Sequence, residues 1–379
     1  MQINSVNSNQ NPSFQSAYLT LSEKNLGKHI EKHVVEAFNK NLLPVLKDSV
    51  HLNKFKGIAE TSDFWALGGG EGSRFRPLAR AFTSLTGIPA NKISFPIPLN
   101  EKVCVHMSDW ALAAGAPFAQ KDGGIIPVVE PTSSGLFCGI IKHYTNNPAK
   151  NVIIHYGDNV FNTKQGELMT FAKDVIENPN LRLGHVGVKR TPEDTANVFG
   201  IYGITKRFKN SDDIYHTACF VNKPEIEIAK KMVTPEGYCP TNTGFIVFKK
   251  EAIEELLKAL KENPDLIKRN DIDIYDCAKA ADWAKRTFGP ERSVVKALPK
   301  KTWEDVGSPT PFFKFLNRVK KDEFLNEFGD LKSAIQKSVN NRFWYSGNRG
   351  ELLLDAGKKG LNGVNSRGYP VIDGVKIIA

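Results

Sequence analysis

Short apolar runs punctuate the middle of the chain, at Asp63–Leu67, Ile125–Val129, Asn151–Tyr156, Leu181–Lys189, Phe199–Gly203, Asn242–Phe248 and Val294–Leu298. Each is short and is bounded by Gly, Pro, Asn, Asp or Ser, which predicts buried strands rather than helices. Between them the period changes. Glu251–Glu262 and Ile272–Lys285 read as amphipathic helices, and a helical pattern runs from the Ser133-Ser134 pair to about Tyr144. Ahead of the first strand, from Ala17 to about Lys54, residues Leu26, Ile30, Val34, Ala37 and Phe38 fall on one helical stripe. Strand and helix therefore alternate, the pattern of an α/β sandwich with a largely parallel central sheet. The predicted organisation is a disordered Asn/Ser/Gln-rich start over 1–16, a helical extension over 17–60, one α/β domain over 61–320, and a small C-terminal extension over 321–379 with a hairpin at Tyr369–Ile378.

Composition narrows the class. With 379 residues, 41% hydrophobic and 24% charged, the chain is an ordinary globular protein large enough for one large or two medium domains. The net charge of +10 is spread along the chain, with no basic block interleaved with aromatics. That argues against a nucleic-acid surface and suits anionic small substrates. Cys104, Cys138, Cys219, Cys239 and Cys277 are odd in number, widely spaced and form no C-x-x-C. Reduced thiols in a cytoplasmic protein are expected, not a disulfide frame or a zinc site. No apolar run reaches the ~18 residues of a membrane span, and the N-terminus lacks a signal-peptide pattern. His29 and His33 lie four apart on the first helix without a nearby third ligand, and read as exposed helix histidines.

The candidate chemistry starts after the first strand. Leu67 runs into Gly68-Gly69-Gly70-Glu71-Gly72-Ser73-Arg74, where glycine lets backbone N–H groups turn toward an anion. Ser73 adds a hydroxyl, and Arg74 a fork suited to phosphate. No Gly-Lys-Ser/Thr follows, and Ser73 or Phe75 stands where a dinucleotide fingerprint needs its last glycine. Farther on, Asp158 follows the apolar run Asn151–Tyr156 in Gly157-Asp158-Asn159-Val160-Phe161. A carboxylate at a strand's carboxyl end lies where open α/β sheets bind ligands, and its oxygens suit Mg²⁺. The stretch Trp303-Glu304-Asp305-Val306-Gly307 follows the last strand.

The loop matches L-x-G-G-x-G-T/S-R-x-x-P-L, and on that ground the chain resembles the sugar-1-phosphate nucleotidyltransferases. Its G-D-N-V-F wording is close to that of the glucose-1-phosphate thymidylyltransferases. The resemblance covers about Asp63 to Leu316 and implies a Rossmann-like sandwich. It implies that Leu67, Gly69, Gly70, Gly72 and Ser73 bind nucleotide, with Ser134 and Gly135 against the base. Arg74 and Lys92 would reach the phosphates, although Lys92 does not directly precede its proline and lies 18 positions after Arg74. Asp158 and Asp305 would share Mg²⁺. Gly200, from an F-G-V-like strand, Asn222 and Lys223, from a V-E-K-P-like stretch in which Asn222 replaces the glutamate, and Asn242, from an N-x-G strand, would bind the sugar phosphate. The implied reaction joins an NTP and a hexose 1-phosphate into an NDP-sugar and pyrophosphate. A homo-oligomer is a possible assembly; a nucleic-acid or membrane partner is not expected. Two alternatives stand beside it: a non-catalytic nucleotide-sugar-binding regulatory subunit, and a glycosyltransferase using Asp271-Ile272-Asp273 as a D-x-D motif. That triplet follows a helix rather than a strand, and reads as a helix start.

Overall fold

The computed structural model describes residues 54–67, 75, 78–79, 95–98, 104–119, 128–129, 150–163, 166–209, 211–262 and 291–320. The segments 1–53 and 321–379, both loops that carry the predicted phosphate contacts, the helix predicted at 272–285 and the D-x-D triplet lie outside the described residues.

The strand reading holds at its centre. Ser62–Leu67 forms β1, and short strands follow at Pro96–Pro98 (β2), Cys104–His106 (β3) and Val128–Val129 (β4). Asn151–Tyr156 is β5, Asn159–Phe161 β6 and Leu183–Arg190 β7. Ile201–Arg207 (β8), Ile214–Val221 (β9), Cys239–Phe248 (β10), Ser293–Leu298 (β11) and Trp303–Asp305 (β12) complete the set. The helices are α1 (Lys56–Thr61), α2 (Asp109–Ala114), α3 (Ala116–Ala119), α4 (Glu167–Glu177), α5 (Pro192–Thr195), α6 (Ile226–Ala229), α7 (Lys250–Glu262) and α8 (Pro309–Lys320).

The class is mixed α/β, but the expectation of a largely parallel sheet is corrected. Eight strands lie in the order β4-β1-β5-β10-β7-β11-β9-β8. β1 pairs parallel with β4 and β5, and β7 with β11. The other five pairings, β5–β10, β7–β10, β8–β10, β8–β9 and β9–β11, are antiparallel. Connection length explains much of this. A parallel return needs a crossover of about a dozen residues or more. Residues 208–213, which join β8 to β9, are too few, and α5 and α6 are single four-residue turns. Nevertheless β1, β4, β5, β7 and β11 all point one way, so their carboxyl ends share one edge of the sheet. β10 runs against them and brings its first residues to that edge. It also meets β8 through Thr241 and Ile201, which closes β10, β7, β11, β9 and β8 into a barrel-like ring.

The helices cover this frame by burying one stripe each. On α4, Leu168, Met169, Phe171, Ala172 and Val175 are buried. Val175 reaches β7 at Gly184, where an added Cβ would lie 2.5 Å from it. α8 buries Phe312, Phe313 and Phe315. Phe312 meets Phe75 and Phe95 edge-on, with ring centroids 5.5 and 5.2 Å away, and the last two rings are 4.9 Å apart. These side chains join one core that runs from Phe55 to Phe315.

Candidate functional site

The site grows from backbone register. β1 and β5 pair from Ser62↔Asn151 to Leu67↔Tyr156, and the Gly157 N–H then donates to the Leu67 carbonyl at 2.8 Å. The residue that enters the glycine loop and the turn that carries Asp158 are therefore tied together. Beyond that turn β6 pairs antiparallel with β12, with Asn159 opposite Asp305, and the Val306 N–H donates to the Asp158 carbonyl at 3.0 Å. Asp158 and Asp305, 147 positions apart in sequence, thus occupy neighbouring backbone positions. Asp158 is buried; Asp305 is half-buried, and its Oδ1 accepts from the Gly307 N–H at 2.9 Å. Among the described residues no three His, Cys, Asp or Glu side chains form a metal cluster. What the structure shows is the backbone placement of two aspartates side by side. Two carboxylates would suit Mg²⁺, which takes one or two of them and fills its octahedron with phosphate oxygen and water.

A second group of expected residues gathers on the ring. Val221 pairs with Ile201, and Ile201 with Thr241. Just beyond this row, the Asn242 N–H donates to the Gly200 carbonyl at 2.8 Å, and Asn222 and Lys223 continue from β9. Asn222 and Lys223 are both exposed. Lys223 has φ +46, a left-handed conformation that costs a residue bearing a Cβ of order 1 kcal/mol. The Gly200 carbonyl is at the site, but the need for glycine is internal. A Cβ there would lie 2.0 Å from the Phe220 ring.

The two groups meet at a bulge in β10. Register slips between Asn242 and Phe245, and Gly244 takes φ +74, which glycine tolerates without strain. A Cβ on Gly244 would fall 2.6 Å from the Tyr156 ring and 3.0 Å from Asn159 Nδ2. The Asn242 bulge therefore lies against the turn that carries Asp158. Of the residues expected from sequence, Leu67, Asp158, Asp305, Gly200, Asn222, Lys223 and Asn242 collect on this connected stretch. Gly69, Gly70, Gly72, Ser73, Arg74, Lys92, Ser134 and Gly135 lie outside the described residues. Phe75, next to Arg74, and Phe95, three residues after Lys92, pack against each other.

Arg190 was missed in the sequence. It ends β7, and its guanidinium carbon lies 5.0 Å from the centre of the Phe199 ring and 5.3 Å from that of Trp303. Burial pulls it below the ordinary arginine range, while the carboxylates of Asp194 and Asp305 act to hold it charged. The signal was an arginine closing an apolar strand just before Thr191-Pro192, where the Thr191 side chain caps α5 by accepting from the Asp194 N–H at 3.3 Å.

Under the ring sits His185, fully buried, 4.5 Å from the Tyr202 ring. Burial pushes its imidazole down to about 3. The native protein therefore holds it neutral, whereas the unfolded chain takes up a proton below about pH 6.5. Its contribution is present above that value and is lost as pH falls toward 3. At pH 5 this one group should cost about 2 kcal/mol of stability relative to pH 8. His185→Phe should make the melting temperature fall less between pH 8 and pH 5. Calorimetry that finds equal slopes in the two proteins would remove His185 as a cause.

Among the described residues no helix is long and apolar enough to cross a membrane. Neither a protein-family model nor a curated protein matches the chain. Among solved structures it is similar to a UDP-glucose pyrophosphorylase complexed with UDP-glucose. The identity is 14%, the match covers 69% of this chain and 99% of that one, and the TM-score is 0.47. It is also similar to a UDP-glucose pyrophosphorylase from Acinetobacter baumanii, at 12% identity over 71% and 98% of the two chains, with a TM-score of 0.47.

Proposed function

We propose that this chain is a Mg²⁺-dependent nucleotidyltransferase that joins an NTP and a sugar 1-phosphate into an NDP-sugar and pyrophosphate. The observation that carries the reading is the register that sets Asp158 beside Asp305, next to the strand that enters the glycine loop. In this reaction a sugar-phosphate oxygen attacks the α-phosphorus in line. A new P–O bond forms, the bond to the β-phosphate oxygen breaks, and pyrophosphate leaves. No protein nucleophile is needed, so the protein's task is positioning and charge. Asp158 and Asp305 would hold Mg²⁺, which neutralises charge on the phosphates. Arg74 and Lys92 would meet the charge that develops on the phosphates in the transition state. Lys223, held in a strained backbone conformation and exposed, would hold the sugar phosphate. The test is a matrix of common NTPs against common hexose 1-phosphates, scored by Mg²⁺-dependent pyrophosphate release. No release from any pair would overturn the reading. Consumption of a ready-made NDP-sugar without pyrophosphate exchange would favour a glycosyltransferase.

The Lys223 assignment has its own check. Loss of a charge-assisted bond to a dianion costs about 1.5–3 kcal/mol. Lys223→Ala should raise KM for the sugar phosphate by about ten- to a hundredfold and leave KM for the NTP within a few fold. A rise confined to the NTP would place Lys223 in the other subsite.

A further inference from the structure

Asn242 is half-buried, and its Oδ1 accepts twice, from the Tyr202 hydroxyl at 2.8 Å and from the Gly244 N–H at 3.0 Å. A backbone N–H can only donate, so the atom that faces it must be the carbonyl oxygen of the amide. This fixes which way the amide is turned and uses both lone pairs of Oδ1. The Nδ2 group keeps two N–H donors, and no described residue accepts from it. An amide held in this way offers a ligand donors and no acceptor.

Tyr202 is equally well fixed. It is 1% exposed, and its ring packs on His185 at 4.5 Å and on Phe220 at 5.1 Å. Phe220 in turn occupies the space left by the missing side chain of Gly200. A hydroxyl anchored by ring packing loses little further entropy when it bonds, so it can orient a neighbour firmly.

We propose that Tyr202 is a positioning residue that makes Asn242 a donor-only contact, so the sugar-phosphate atom recognised there is an acceptor oxygen. The inference rests on the nucleotidyltransferase reading of the site, and it adds the polarity of one contact. It also narrows the effect of finding Asn222 in the V-E-K-P-like stretch: of the two amides expected at the sugar phosphate, Asn242 can only donate hydrogen bonds.

The test uses the full chain and the best NTP and hexose 1-phosphate pair from the matrix. Tyr202→Phe removes one neutral hydrogen bond and should raise KM for the sugar phosphate about three- to tenfold. The value of kcat and KM for the NTP should stay within twofold. A merely structural role would instead lower kcat or move both KM values together. Asn242→Asp keeps the shape and both hydrogen bonds accepted by Oδ1 but replaces the two donors with a negative charge, and should raise KM for the sugar phosphate at least tenfold. In that background Tyr202→Phe should add less than twofold, the mark of two residues acting through one contact. An unchanged sugar-phosphate KM in folded Tyr202→Phe, or full additivity in the double variant, overturns the proposal. If Tyr202→Phe does not fold, an unchanged KM in Asn242→Asp overturns it alone. Monodeoxy and monofluoro analogues of glucose 1-phosphate separate a hydroxyl acceptor from a phosphate one: a single position where deoxy weakens binding more than fluoro marks a hydroxyl, and uniform behaviour marks the phosphate. If wild type releases no pyrophosphate, the nucleotidyltransferase reading fails by itself. Calorimetric binding of glucose 1-phosphate to wild type and Tyr202→Phe then decides the inference, and equal affinities sink it.

Discussion

Asp158→Asn lowers turnover by about a thousandfold or more while the protein melts within a few degrees of wild type. Asparagine keeps the size of the side chain and removes its charge. The turn itself is held by main-chain bonds that the substitution leaves in place, from the Gly157 N–H to Leu67 and from the Val306 N–H to the Asp158 carbonyl. The charge is what the proposed chemistry uses. A buried carboxylate beside Asp305 would supply half of the protein's ligands to Mg²⁺. A thousandfold corresponds to about 4 kcal/mol of transition-state stabilisation, the size of effect seen when one preorganised electrostatic contact is lost. The check is pyrophosphate release at saturating substrates over a Mg²⁺ series, with circular dichroism and a melting curve beside it. Near-normal kcat in a folded variant would sink the metal assignment.

Phe312→Ala should cost about 3–5 kcal/mol of stability. Phe312 is fully buried, and two aromatic rings meet it edge-on within 5.5 Å. The backbone around such a trio can close the resulting hole only in part, so lost burial and a residual cavity add. For a chain of 379 residues the melting temperature should fall by roughly 4–6 °C. Phe312→Leu, which keeps most of the volume, should lose far less. Activity carries a second signal. Phe75 adjoins Arg74 and Phe95 stands three residues after Lys92, so loosening the trio should also raise KM for the NTP in the protein that remains folded. If the alanine variant melts within about 2 °C of wild type, α8 is not the clamp on these two segments.

The sequence was most legible where the signal is local. Asn151–Tyr156 is six residues of apolar strand ending at a Gly-Asp turn, and the structure has β5 over the same six residues. The convergence of Asp158 and Asp305 was legible only through a resemblance, yet an ordinary antiparallel pair, β6 with β12, produces it. What could not be read was direction. Asn242–Phe248 reads as an apolar strand whichever way it runs. Its insertion between β5 and β7 depends on pairings with residues far away in sequence. Gly200 shows a different limit. It was expected at the sugar phosphate from an F-G-V-like strand; what the sequence could not show is that a side chain there would collide with Phe220, 20 positions later. Tyr202 was hidden for the same reason. One buried tyrosine in a strand is unremarked until its hydroxyl is found on Asn242.

β10 is paired on both sides. Over its length it bonds β7 on one flank, and on the other β8 near its start and β5 near its end. A strand held on both flanks cannot peel away as an edge strand can. Its amide protons can exchange with solvent only through openings that break the carboxylate-bearing part and the sugar-side ring together. The two halves of the proposed site then share one cooperative unit, and their backbones should open with the same free energy, close to that of the whole domain.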